Sequence, residues 1–80
     1  MNFQEYREEF DRLKAAYQVS DADLDIWDEI KDLHLELSAT YGEYYEQAAT
    51  TQTKIAKKEA LKQAEVFSKL AEEIHTFLHN

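Results

Sequence analysis

Eighty residues bound the chain to one small domain, 1–80, and a net charge of −8 makes that domain acidic. With no cysteine, no proline and one glycine, the composition excludes a disulfide framework and a thiolate zinc site, and it suits long helices joined by short turns. The acid excess argues against direct nucleic-acid binding and against an anionic membrane surface, and no run approaches the ~18 apolar residues of a membrane span.

The first predicted helix covers about 3–17. Its apolar residues Phe3, Tyr6, Phe10, Leu13 and Tyr17 are spaced 3-4-3-4, a narrow seam of the coiled-coil kind. Asn2 is a suitable N-cap, and Glu5 stands where a capping box places its acid. The opening MNFQEYREEF lacks the basic and apolar regions of a signal peptide, so a cytoplasmic protein is expected.

A second helix is predicted over 21–48. Ser20 reads as its N-cap, Asp23 as the acid of a capping box, and Val19 with Leu24 as a hydrophobic staple. At 100° per residue, Ile26, Trp27, Ile30, Leu33, Leu37, Tyr41, Tyr44, Tyr45 and Ala48 share one side. Asp21, Asp25, Asp28, Glu29, Asp32, Glu36, Glu43 and Glu46 share the other. Both faces hold their phase through Gly42, so the glycine reads as tolerated inside the helix, at about 1 kcal/mol relative to Ala. The alternative ends this helix near Tyr41 and starts a very long third helix at Glu43. The preferred break lies in Ala49-Thr50-Thr51-Gln52-Thr53, where the threonines are weak helix formers and usable caps.

The third predicted helix runs over 54–78, with Ala56, Ala60, Gln63, Ala64, Phe67, Leu70, Ala71, Ile74 and Leu78 facing the core and Leu61 off that face. Helices 2 and 3 come out at roughly 40 Å each. The expected fold is all-α: an antiparallel three-helix bundle, with short helix 1 packed on an elongated hairpin of helices 2 and 3. Tyr41, Tyr44 and Tyr45 are expected at the far tip, beyond the reach of helix 1.

Four constellations bear on function. Asp21, Asp25, Asp28 and Asp32 are spaced 4-3-4, which sets their carboxylates roughly 5–6 Å apart along one ridge. Such a row resembles the phosphates of a DNA strand, and it also serves as a solvated face that keeps the chain dispersed. Residues 1–49 hold thirteen acids and four bases, −9, whereas residues 50–80 hold four acids and five bases, +1. The basic excess is Lys54, Lys57, Lys58 and Lys62, expected to compensate Glu43 and Glu46 across the hairpin, or to meet an acidic partner or a second copy of the chain, since one acidic and one basic end suit antiparallel self-association. The tyrosine cluster reads either as core with wet hydroxyls or as an interface anchor. Glu72-x-x-His75 matches half of a di-iron carboxylate motif, but Lys31 stands three residues before His34 and no second copy exists. His75 with His79 makes at most a weak chelate at a fraying end, and His34 with Ser38 lacks the third group of a triad.

These readings lead to a non-enzymatic helical protein-interaction module with no cofactor and no metal. It is homo-oligomeric, or a small regulator, inhibitor or chaperone of a larger protein. Its apolar contacts are Tyr41, Tyr44, Tyr45 and Leu61. The alternative is an acidic decoy or immunity-type inhibitor that meets a basic protein through Asp21, Asp25, Asp28 and Asp32.

Overall fold

The computed structural model describes residues 2–21 and 23–79. Three helices follow one another: α1 (Phe3–Val19), α2 (Leu24–Thr50) and α3 (Lys54–Leu78), with no strand among the described residues. They form a three-helix bundle with extents of 50 × 18 × 18 Å. Helices α2 and α3 pack along most of their length, and α1 lies against one half of that hairpin, in closer touch with α2 than with α3.

Helix α1 starts with the expected capping box. The Glu5 amide donates to Asn2 Oδ1 at 2.9 Å, and the Asn2 amide donates to Glu5 Oε1 at 3.2 Å. Its end departs from expectation. The helix continues two residues beyond Tyr17, and Ser20 closes α1 instead of opening α2: its amide donates to the Ala16 carbonyl at 3.0 Å and its hydroxyl to the Tyr17 carbonyl at 3.1 Å. Asp21 then takes φ 62°, a left-handed conformation that Asp tolerates better than most residues. The N-cap of α2 therefore moves to Asp23, whose carboxylate accepts from the Asp25 amide at 2.8 Å. Serine can serve either helix end, and one extra half-turn of α1 decides which. The staple fails with it: Val19 and Leu24 are 87% and 74% exposed.

Gly42 lies inside α2, which runs unbroken to Thr50. The chain reverses over Thr51–Thr53, where the Thr51 amide donates to the Gln47 carbonyl at 2.9 Å and Thr53 Oγ1 accepts from the Ala56 amide at 3.3 Å to cap α3. Both ends of this break agree with the threonine signal.

The main core joins Tyr6, Phe10 and Leu13 of α1 to Ile30, Leu33 and Leu37 of α2 and to Phe67, Leu70, Ala71 and Ile74 of α3. Toward the tip the buried residues shrink to Ala48, Ala60 and Ala64, which let the two helices approach closely without α1. Ala56, expected in this face, is exposed, and Gln63 is half-buried. At the opposite end Tyr17, Trp27 and Phe77 form a triangle, with ring centroids 5.3, 6.2 and 5.9 Å apart.

Candidate functional site

The tyrosines divide. Tyr6 of α1 reaches Thr40, hydroxyl to hydroxyl at 3.2 Å, and Phe3 and Tyr6 both set their edges against Phe67. Tyr44 stacks on the same Phe67. Tyr41 and Tyr44 are thus half-buried and packed against the core, not held on a bare tip. The expected separation from α1 fails because α1 lies alongside α2 as far as Thr40. Tyr45 alone of the three is exposed, at 45%, and Leu61 of α3 is exposed at 41%.

The outer surface of α2 has two chemistries. At 100° per residue, Asp25, Asp28, Asp32, Glu36, Glu43 and Glu46 fall within about 80° of one another. This acidic flank faces the α1 side, where Glu9 of α1 joins Glu29, Asp32 and Glu36 around a shallow groove floored by Leu13 and Leu33. On the other flank, Ser38, Gly42, Tyr45 and Ala49 fall within about 60°. From Ser38 to Ala49 that strip carries no charge, and toward the start of α2 the exposed Lys31 falls in the same sector. The strip faces away from α1, beside a second groove between α2 and α3 lined by His34, Tyr41, Ser68, Ala71, Glu72 and His75. Leu61 shares the side of α3 that carries Ser68 and His75, again within about 60°. Tyr45 and Leu61 therefore flank the face of the hairpin that α1 leaves uncovered.

Of the four predicted acidic residues, Asp25, Asp28 and Asp32 are exposed in one row on α2. Asp21 is exposed too, but it sits in the turn before the helix and drops out of the row. The expected pairing of lysines with Glu43 and Glu46 is not seen. Among the described residues the ion pairs join Arg7 to Asp11 and Glu73, Arg12 to Glu9, and Lys69 to Glu65. Lys54, Lys57, Lys58 and Lys62 stand exposed with Glu43 and Glu46 and touch none of them.

The fold also brings together what the spacing kept apart. All three histidines converge, His34 with His75 at 6.0 Å and His75 with His79 at 4.3 Å between ring centroids. Burial in the groove, then the positive charge of His75 and His79, push His34 below its ordinary value near 6.5. Counting equal lengths back from the turn at Thr51–Thr53 sets His34 level with about residue 70, near His75, so the antiparallel register carried the signal. Among the described residues no three of His, Asp and Glu are arranged to hold a metal ion, and no helix is long and apolar enough to cross a membrane.

No family model, no curated protein and no solved structure matches the chain.

Proposed function

We propose that this chain is a non-enzymatic protein-interaction module that docks through the α2–α3 face opposite α1. The observation that carries the reading is the pair Tyr45 and Leu61, two large apolar side chains held exposed beside the uncharged strip of Ser38, Gly42 and Ala49. Tyrosine is an effective interface anchor because it brings a rigid apolar ring with a polar tip at little entropic cost. A strip of small residues beside it lets another helix approach closely. The acidic flank contributes by steering and by rejecting acidic proteins, which is the usual share of rim charge in recognition. The decoy reading draws on the exposed row of Asp25, Asp28 and Asp32, but with Asp21 in the turn that row has three carboxylates, not four.

The test is site-specific photocrosslinking in the source cell, with a benzophenone side chain placed at Leu61 or at Asp32. A protein adduct at Leu61 and none at Asp32 is the expected result. The reverse pattern overturns docking through the open face and transfers the interaction to the acidic flank.

A further inference from the structure

We infer that His75 and His79 form a two-imidazole chelate for a divalent late transition-metal ion of the zinc, nickel and copper class, on the last turn of α3 beside the α2–α3 groove. The inference does not depend on the docking reading above.

The helix builds the chelate. Side chains four residues apart on a helix lie one above the other on the same face. The structure closes this turn, which the spacing alone placed at a fraying end: the His79 amide donates to the His75 carbonyl at 3.1 Å. The two rings then stand with centroids 4.3 Å apart. With metal–nitrogen bonds of about 2.1 Å, two imidazoles on adjacent coordination positions hold their centroids roughly 4.5–5 Å apart. A few tenths of an ångström and a rotation about Cβ–Cγ bring the pair to that geometry. Both residues are exposed, so neither ring leaves a packed position to turn.

The ring nitrogens are free for the task. Neither imidazole takes part in a side-chain hydrogen bond or an ion pair with described residues. Imidazole suits zinc, copper and nickel, whereas magnesium and calcium take oxygen ligands. The local charge favours a cation. Glu72 lies one turn before His75, exposed and without an ion pair among the described residues. The C-terminal end of a helix adds about half a negative charge.

His34 is a neighbour of this pair. Its ring centroid lies 6.0 Å from that of His75 across the groove, wider than two adjacent ligands of one ion require. Among the described residues no three donors are arranged around one point. The chelate therefore has two protein ligands, and water completes the shell. Such a site exchanges its ion, unlike a closed four-ligand zinc site. The bound ion locks the final turn of α3 by bridging it.

The experiment is calorimetric titration of the full chain with zinc chloride at about pH 7.5, with magnesium chloride as the control for the acidic surface. One zinc ion per chain is expected, and no magnesium binding at the same concentrations. His75→Ala and His79→Ala should each weaken zinc binding about tenfold or more, because a lone imidazole retains no chelate. His34→Gln, and Asn in place of Asp25, Asp28 and Asp32 together, should change it less than about twofold, since these groups hold no share of the ion. The altered histidines of α3 are exposed, so circular dichroism should show those chains as helical as the parent without metal. Zinc should also raise the melting temperature of the parent and not that of His79→Ala, because the ion binds the folded turn. No zinc uptake by calorimetry and by equilibrium dialysis overturns the site. Zinc binding that survives both alanine changes places the ion on the carboxylates and overturns it too. A loss at His34→Gln as large as at His79→Ala overturns the two-ligand arrangement, because the ion then bridges α2 and α3.

Discussion

The ring of Tyr44 lies nearly flat on Phe67, with centroids 5.5 Å apart and planes 20° from parallel. Phe3 and Tyr6 meet the same ring with their planes nearly perpendicular to it, so one side chain of α3 ties α2 and α1 together. The next residue, Tyr45, takes no part in this set of rings; its aromatic neighbour is Tyr41, with centroids 6.1 Å apart and planes 87° from parallel. Two adjacent tyrosines thus have different work.

Tyr44→Ala should cost about 2–3 kcal/mol of stability, near the lower end for removing a packed aromatic ring because Tyr44 is half-buried. Tyr45→Ala should cost under about 0.5 kcal/mol, as surface changes do, when urea denaturation is followed at low protein concentration. Comparable losses at both positions would place Tyr45 in the core.

Gly42→Ala should stabilise the chain by about 1 kcal/mol, the difference in helix propensity. Gly42 has no positive φ, and an added Cβ would meet nothing within 4 Å. The measurement is the urea midpoint of the monomer, and a fall in stability would mean that α2 bends there.

Asp23→Ala should cost about 1 kcal/mol, because Asp23 caps α2. Ser20→Ala should cost no more than about 0.5 kcal/mol, since the Ser20 hydroxyl only donates to the Tyr17 carbonyl at the end of α1. Equal effects would return the start of α2 to Ser20.

Acidification should weaken the fold between about pH 7.5 and 5.5 through His34. Burial and the charges of His75 and His79 lower its pKa, with Glu72 on the rim of the same groove. The unfolded chain therefore binds the proton first as pH falls through the ordinary value near 6.5. Stability is complete above that value and declines below it. Urea midpoints at the two pH values should differ less in His34→Gln than in the parent.

Replacing Asp25, Asp28 and Asp32 with Asn should leave the melting temperature unchanged or slightly raised, because all three are exposed like charges on neighbouring turns. A large drop would reveal a structural role for the acidic row.

The periodicity alone places the class, the three helices, their order and the break at Thr51–Thr53. Helix phase survives Gly42 because a glycine costs propensity without disturbing geometry. Less legible was the α1–α2 connection. Ser20, Asp21 and Asp23 are all competent caps, and only the end of α1 at Val19 selects among them. The candidate face was half legible. Tyr45 and Leu61 stand exposed as expected, but the tie from Tyr44 to Phe67 depends on how far α1 extends along α2, which no single-helix pattern contains. The convergence of His34, His75 and His79 depends likewise on the register between two helices. Within one helix His34 and Ser38 suggest nothing.

The aromatic triangle at the end away from the tip has an optical consequence. Trp27 is the sole tryptophan, and it rests between Tyr17 of α1 and Phe77 of α3. Its emission therefore reports whether the three chain segments meet at that end and is blind to the alanine-packed half, whereas ellipticity sums over every helical turn. Heating the protein while recording both signals separates a molecule that melts as one body from one whose tip frays first. Coincident curves would make the 50 Å rod a single cooperative unit. An ellipticity loss that precedes the tryptophan shift would divide it into two, with the boundary where α1 stops.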